Sequence, residues 1–325
     1  MKEYPFVSVC VVALNAGKYI EECLQSIDSL NYPKHKYEIL LIDGGSIDNT
    51  LKIAKKFKRV EILNNQKKII SAGRNMAIEN SRGKYLVFTD SDCKVDSEWL
   101  INLTKRIINS QDNVVAYGGP NLVFEEDPPI GKVIGYMQET LFGSGGSPGA
   151  SKIKEGKEVI SLGNANIIYK IDIIKNYRYN ERLNVGEDCD FNFRLKEKGY
   201  RFIYTNEAVI WHHRRTSISG FVKNMFKYGE AQSKMLIIYK RLIRNYAVLP
   251  SLFVIYLIIG FVLSLMTLQN VLKFYLLTIA LYLFMLTPSL IYTIRKTGLF
   301  GILSIIFLPI QHIAYGVGFL WGLIK

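Results

Sequence analysis

Two patterns of apolar spacing divide this chain. Through the first 215 residues, short β-rich runs alternate with segments of helical spacing, whereas beyond about residue 245 the apolar residues close up into long, nearly uncharged runs. Val7 to Leu14 opens as a strand, and Lys18 to Leu30 follows with Ile20, Leu24 and Ile27 at helical spacing beside Cys23. Glu38 to Ile42 reads as a second strand closed by Asp43, Gly44 and Gly45, with a helix from Asp48 to Phe57 after it. Val60 to Leu63, a helix around Ala72 to Asn80 and a strand from Tyr85 to Thr89 continue the alternation. This pattern predicts an α/β fold, a mainly parallel sheet flanked by helices on both faces. Such sheets bind ligands at the carboxyl ends of their strands.

The C-terminal pattern differs in kind. Ala247 to Leu268 holds no charged side chain, enough for one helix to cross a bilayer. A second expected span runs from about Phe274 to Ile294 and a third from about Leu299 to Ile324, where Pro309, Gln311 and His312 suit a kinked or re-entrant helix as well as a straight one. The expected organisation is a domain over residues 1–215, amphipathic interfacial helices over 216–245 and a membrane domain of about three helices over 246–325. Ile218 to Leu242 mixes Phe221, Met225, Phe226 and Met235 with lysines, which suits helices lying on a membrane or, alternatively, a partner-binding pair. Lys223, Lys227, Lys234, Lys240, Arg241 and Arg244 precede the first span, Lys273 alone follows it, and Arg295 and Lys296 lie between the second and third. The positive-inside bias then places residues 1–245 and the Arg295–Lys296 connection in the cytoplasm of a multi-pass protein of the cell membrane. Met1 to Val12, a short strand behind an acidic residue, has no cleavage region and does not read as a secretory signal.

Composition agrees with one large domain plus unusually apolar material: 325 residues, 49% hydrophobic. The net charge of +13 does not point to nucleic acid, because no long basic tract or zinc-finger spacing accompanies it. Basic residues beside apolar spans read as contacts to anionic lipid headgroups. Cys10, Cys23, Cys93 and Cys189 form no Cys-x-x-Cys pair and are expected as reduced, mostly buried thiols.

The candidate chemistry sits where strands stop. The run "YLVFTDSDCKVDSEWL", residues 85–100, ends in Asp90 and Asp92 on either side of Ser91. Asp96 serves to turn the chain into the helix that follows, but two carboxylates at i and i+2 past a strand also converge on a volume that suits a hard cation. Asp43 holds the matching position after the second strand, either as a turn aspartate before two glycines or as an acceptor for a ribose or base. No G-x-G-x-x-G follows the first strand, against a dinucleotide dehydrogenase.

Taken in order, "VSVCVVALNAGKYIEECLQSI", "ILLIDGGSIDNT", "SAGRNMAIENSRGKYLVFTDSDC" and "NVGEDCDFNFRLKEKGYRFIYTNEAVIWHHRR" resemble the family 2 glycosyltransferases of the GT-A fold, over roughly residues 5–215. The tail "LPIQHIAYGVGFLWGLIK" is similar to that of members with C-terminal spans. The resemblance implies a nucleoside-diphosphate sugar donor, UDP- or GDP-linked, contacted by Asn15, Asp43, Arg74, Asp90 and Ser91. It implies a divalent cation, Mn²⁺ or Mg²⁺, held by Asp92 with Asp90, and His212 or His213 as a further ligand or phosphate contact. Arg74 as a solvated helix residue and the histidines as packing groups are the plainer alternatives. Asp188, in "GEDCDFNFRLKEKGY", matches the general base that deprotonates an acceptor hydroxyl, with Glu187 as second choice; a helix cap is the plain role for Asp188.

The chain also departs from the family. The Q-x-x-R-W motif of processive synthases is absent, which favours transfer of one sugar over polymer extrusion, and the G-x-F-D-E turn is replaced by "YRYNERLNVGED". The segment "LFGSGGSPGAS", residues 141–151, is expected as an irregular loop that closes over donor or acceptor. The leading expectation is a membrane-anchored, metal-dependent, inverting hexosyltransferase acting on a hydroxyl of a lipid-linked acceptor. The alternatives are a polyprenyl-phosphate sugar synthase, which needs no base, and a transporter or scaffold with a nucleotide-sensing domain.

Overall fold

A computed structural model describes residues 4–148, 153–241, 245–266 and 269–325. Met1, Gly149 to Ser151 of the glycine-rich loop, Leu242, Arg244 and Leu268, each named above, lie outside the described residues. The chain divides into two compact units, residues 1–122 with 152–213 and residues 123–151 with 214–325.

In the first unit, β1 (Val7–Ala13), α1 (Ile20–Asp28), β2 (Tyr37–Asp43), α2 (Thr50–Ala54), β3 (Val60–Asn64), α3 (Ile70–Asn80) and β4 (Tyr85–Asp90) follow the predicted alternation. Helix α2 is shorter than expected. The chain continues through β5 (Cys93–Val95), α4 (Trp99–Ile108), β6 (Val114–Gly118) and β7 (Asn121–Val123). After the excursion into the second unit, which contributes α5 (Pro129–Gln138) and α6 (Leu141–Ser144), it returns as β8 (Glu158–Val159), β9 (Asn166–Lys170), α7 (Ile171–Ile174), α8 (Glu187–Glu197), β10 (Arg201–Tyr204) and β11 (Ile210–His212).

The main sheet runs β3-β2-β1-β4-β9-β6-β10-β8. Strands β1 to β4 are mutually parallel, while β9 lies antiparallel between β4 and β6. Strand β1 shows why its run reads as continuously apolar. Val7, Val9, Val11 and Ala13 enter one core with Ile20, Leu24 and Ile27 of α1 and Trp99 and Leu103 of α4. Cys10 enters the other, with Ala77 of α3 and Phe191 and Leu195 of α8. Alternate side chains of a strand serve opposite faces, so a sheet covered on both sides needs apolar residues at every position. A second, three-stranded sheet, β5-β11-β7, carries the chain beyond β4.

The second unit is helical: α5, α6, α9 (Ile218–Tyr239), α10 (Leu249–Met266), α11 (Gln269–Met285), α12 (Thr287–Thr297) and α13 (Ser304–Ile324). Two apolar stretches, Tyr246–Met266 and Thr287–Ile324, are long enough to cross a membrane, with mean hydropathies of 2.5 and 1.7. The expected span from Phe274 to Ile294 is not one helix. It divides between α11 and α12, where Pro288 stands in the first turn of α12 and brings no N–H to continue the preceding ladder. At Pro309, by contrast, α13 continues unbroken through Gln311 and His312.

Helix α9 packs along α13 through glycines. A Cβ on Gly229 would stand 2.0 Å from the Tyr315 carbonyl oxygen, and one on Gly318 2.0 Å from that of Phe226. The expected irregular loop begins instead as α6, whose N-terminus is capped by Thr140 Oγ1 accepting from Gly143 N. Side chains from α11, α12 and α13 fasten this stretch. Ser289 donates to Thr140, Tyr292 to Glu139, Gln311 Nε2 to the Gly143 carbonyl, and His312 pairs with Tyr282 and the Phe142 carbonyl.

Candidate functional site

The parallel register brings the acidic strand ends together. Ala13 pairs with Asp43 on one side of β1, and Val12 pairs with Asp90 on the other. Two carboxylates therefore stand at one carboxyl edge, flanking the loop that carries Asn15.

Asp43 is buried and does the turn's work. Its Oδ2 accepts from Gly45 N at 2.9 Å and Ser46 N at 3.0 Å. Asn15, in the left-handed region at φ 51, clasps the same loop: its N–H donates to Ser46 Oγ and its Oδ1 accepts from Ile47 N at 2.9 Å. Residues 14–19 and 44–50 thus form one hydrogen-bonded shelf, extended by Gly17 N donating to Asp48 Oδ2 and Ala16 N donating to Thr50 Oγ1.

Ser91 and Asp92 form the turn between β4 and β5. Strand β11 pairs antiparallel with β5 so that His212 faces Cys93. That register sets His212 Nε2 3.2 Å from Asp92 Oδ1. His213 points elsewhere: it stacks on Tyr19 with ring centroids 4.2 Å apart, and its Nε2 lies 3.1 Å from Glu22 Oε2. Of the two histidines left open by the sequence, His212 is the one beside the paired aspartates. Asp92, Cys93 and His212 offer three ligand atoms within 4.8 Å of one another. Burial, with Asp90 and Asp92 nearby, drives the Cys93 thiol well above its ordinary value, and sulfur is a soft ligand poorly matched to a hard cation such as Mn²⁺ or Mg²⁺. The fit for a cation is therefore a carboxylate and an imidazole. His212 Nδ1 is buried without a hydrogen-bond partner. Burial also raises the Asp90 carboxyl, against the pull of His212 and Arg74 and together with the charges of Asp92 and Asp188.

Helix α8 carries the second acidic pair. Gly186 begins it at φ 78, a conformation that favours glycine, and no side chain caps its N-terminus. Asp188 is therefore not the cap residue. It lies inside the first turn, partly exposed, with Oδ1 accepting from Cys189 N at 2.7 Å. At the other end, Gly199 stops the helix as expected, its N–H donating to Lys196 O while Tyr200 N reaches Leu195 O.

Glu187 points inward and meets Arg74 of α3. The two side chains, 6% and 5% exposed, form a hydrogen-bonded ion pair. Arg74 is not a solvated helix residue. Its guanidinium lies beside the rings of Phe88 and Tyr179, 6.0 and 5.8 Å from their centroids, and 3.9 Å from Asp90 Oδ1. Burial opposes the Arg74 charge, but Glu187 and the anionic groups behind it outweigh that and hold the guanidinium above its ordinary value. Burial lifts the Glu187 carboxyl to about 7, with Arg74 opposing and Asp188 and Asp90 adding to the rise.

Asn164 is the residue that sequence reasoning missed. It satisfies its surroundings when its carbonyl faces Arg74, accepting from Nη1 at 2.8 Å and Nε at 3.3 Å. Its short polar stretch before β9 carries no periodicity that would have singled it out.

Known proteins resemble this chain in sequence and in fold. Residues 8–178 match the family model described as Glycosyl transferase family 2, and residues 163–321 match Glycosyl transferase family group 2. The chain is 29% identical over 234 residues to Glycosyltransferase AglE of Haloferax volcanii, across 70% of this chain and 73% of that protein. It is 27% identical over 254 residues to the dolichyl N-acetyl-alpha-D-glucosaminyl phosphate 3-beta-D-2,3-diacetamido-2,3-dideoxy-beta-D-glucuronosyltransferase of Methanococcus voltae, across 71% and 74%. Among solved structures it is similar to the mannosyltransferase PcManGT from Pyrobaculum calidifontis in complex with GDP-Man and Mn²⁺, with a TM-score of 0.71 over 98% of this chain and 88% of that one. At 16% identity this last likeness shows the GT-A fold alone.

Proposed function

Because the chain belongs to glycosyltransferase family 2, we propose that it moves one sugar, with inversion, from a UDP- or GDP-linked donor to a hydroxyl of a lipid-linked acceptor. The observation that carries this reading is the gathering of Asp43, Asp90, Asp92 and His212 around the carboxyl edge of the parallel strands, with Asp188 in the first turn of α8. The Methanococcus relative is named for acting on a dolichyl-linked sugar, which supports the acceptor class.

Asn15 and Asp43 shape the shelf that receives the nucleoside, and Asp90 and Ser91 border the diphosphate. Asp92, with Asp90 and His212, would hold Mn²⁺ or Mg²⁺, whose charge offsets that developing on the departing diphosphate. Asp188 removes the acceptor proton as the hydroxyl oxygen attacks the anomeric carbon and the bond to the diphosphate breaks on the opposite face. Its place in the first turn of a helix sets it at the end where backbone N–H groups favour negative charge.

The domain boundaries follow the same reading: a catalytic domain over 1–215, connecting helices over 216–245 and a membrane anchor over 246–325. The anchor rests on the two long apolar stretches and their exposed side chains, among them Ile258, Phe261, Leu265 and Ile306. Basic residues before α10 and at the end of α12 favour, by the positive-inside bias, a catalytic domain on the cytoplasmic side.

The test is direct. Purified protein is incubated with Mn²⁺ or Mg²⁺, a panel of nucleotide sugars and a polyprenyl-linked sugar acceptor. Acceptor-dependent release of one nucleoside diphosphate supports the reading, and release from no donor under either cation defeats it.

A further inference from the structure

The family resemblance assigns Arg74 to the nucleotide, but its surroundings point to another task. Helix α3 turns Ser71, Arg74 and Asn75 toward one neighbour, at the i, i+3 and i+4 spacing that puts residues on one helical face. That neighbour is the chain from Tyr179 to Glu187. Ser71 Oγ donates to Leu183 O at 2.5 Å, and Asn75 both accepts from Tyr179 N at 2.7 Å and donates to Tyr179 O at 3.1 Å. Arg74 completes the row on Glu187. Tyr179 continues the contact into α8 by stacking on Phe191, centroids 4.0 Å apart and planes 11° from parallel.

We propose that Arg74 is a positioning residue: by fixing Glu187 it orients the uncapped first turn of α8, and so holds Asp188 in place without itself touching the nucleotide. Arg74 is 4% exposed, and its Nη1 and Nε are taken up by Glu187 and Asn164, while Nη2 stands 3.9 Å from Asp90 Oδ1. The turn it steadies starts from a left-handed glycine with no side-chain cap, so Glu187 is the anchor of its first residues, while Phe191, Asn192 and Leu195 hold the turns that follow. A buried guanidinium in a bidentate-capable fork is suited to such a brace, because its planar donors fix direction as well as distance. The inference rests on the proposed role of Asp188 as base.

Three single variants test it: Arg74→Lys, Arg74→Gln and Glu187→Gln, each with the double variant R74Q/E187Q. Donor-side affinity is read by calorimetry with UDP or GDP and Mn²⁺, and kcat and KM are read with the donor found by the panel. Misplacing the base predicts a kcat loss on the order of 10²-fold, a diphosphate Kd within about twofold of wild type, and a double variant no worse than the more impaired single one. Diphosphate affinity weakened about tenfold or more at retained kcat overturns the inference and makes Arg74 a nucleotide ligand. Should Arg74→Gln fail to fold, Glu187→Gln decides alone: it removes the braced partner and leaves Arg74 in place, so wild-type kcat in that variant overturns the proposal. A wild-type chain that transfers no sugar defeats the proposed function instead; unchanged diphosphate affinity in Arg74→Lys then still supports the inference, and a tenfold loss still overturns it.

Discussion

His212 Nε2 lies 3.2 Å from Asp92 Oδ1 although the two residues are far apart in the chain. The contact follows from register: β11 meets β5 with His212 opposite Cys93, and the next residue back, Asp92, ends the turn after β4. A one-residue slip would bring His213 to the ladder position and turn His212 to the other face.

This relationship predicts a graded loss of cation binding. Asp92→Ala removes the anionic ligand and should abolish turnover while weakening both Mn²⁺ and diphosphate binding. His212→Ala removes a neutral ligand and should weaken Mn²⁺ by roughly 10–100-fold, the range typical of losing a supporting group at a metal site. His213→Ala should leave Mn²⁺ affinity near wild type, since that ring is engaged with Tyr19 and Glu22. Calorimetric Mn²⁺ titration in the presence of nucleoside diphosphate checks all three; equal losses at the two histidines would contradict the register argument.

Asp188 should separate binding from chemistry. In Asp188→Asn the side-chain oxygen still accepts from Cys189 N, so the turn survives, but no carboxylate is left to take a proton. Transfer should fall by roughly 10²–10⁴-fold at nearly unchanged donor affinity. A near wild-type rate would show that no base is required and shift the reading to a phosphate acceptor, which is already anionic.

How much of this was legible in the sequence depends on the range of the interaction that decided it. Asp43, Asp90 and Asp92 could be found because each ends an apolar run, and the strand order then sets them side by side. The choice between His212 and His213 could not be made, because β5 and β11 are three residues each and too short for a period to declare a face. That Arg74 is buried rather than solvated could not be read for a related reason. Helix α3 buries Ser71, Ala72, Gly73, Arg74 and Asn75 in succession, so neither polarity nor spacing marks its inner face. In the second unit, α5 joins α9, α12 and α13 through contacts distant in sequence, and nothing in residues 129–138 announces that company.

Glu187 should leave a signature in stability against pH. Its folded pKa, about 7, lies above the ordinary 4.5, so between those values the folded protein keeps a proton that the unfolded chain has released. Stability tied to this group is therefore full below about pH 4.5 and falls as pH rises toward 7. Glu187→Gln cannot titrate, so the difference in unfolding midpoint between wild type and variant should move in the variant's favour across that window. Parallel curves would mean that Arg74 keeps the carboxylate ionised throughout.

The α9–α13 contact should tolerate no side chain at Gly318. A Cβ there meets the backbone of Phe226, which cannot rotate aside as a side-chain tip would. Gly318→Ala should force the helices apart and destabilise the second unit by about 1–3 kcal/mol, as overpacking does. Thermal unfolding in detergent checks it. Gly298→Ala is not the right control, because Gly298 has a positive φ; Ile324→Ala, at a residue 84% exposed, is, and should shift the midpoint little.

Topology gives the last prediction. The basic residues before α10 and the pair Arg295–Lys296 should face the cytoplasm together, and Lys296 Nζ lies 5.4 Å from the Tyr136 ring of α5. A reporter cysteine at Ser217 would remove the cap of α9, whose Oγ accepts from Gly220 N at 3.1 Å, whereas Ser219 is exposed and caps nothing. Ser219→Cys and Lys296→Cys are therefore introduced in a Cys189→Ser background, since Cys10, Cys23 and Cys93 are buried. In intact cells a membrane-impermeant maleimide should leave both positions unlabelled, and permeabilisation should expose Ser219→Cys. Labelling of Ser219→Cys from outside would reverse the orientation and remove a cytoplasmic nucleotide sugar as donor; labelling of Lys296→Cys alone would show that the chain crosses between α10 and the end of α12 an odd number of times.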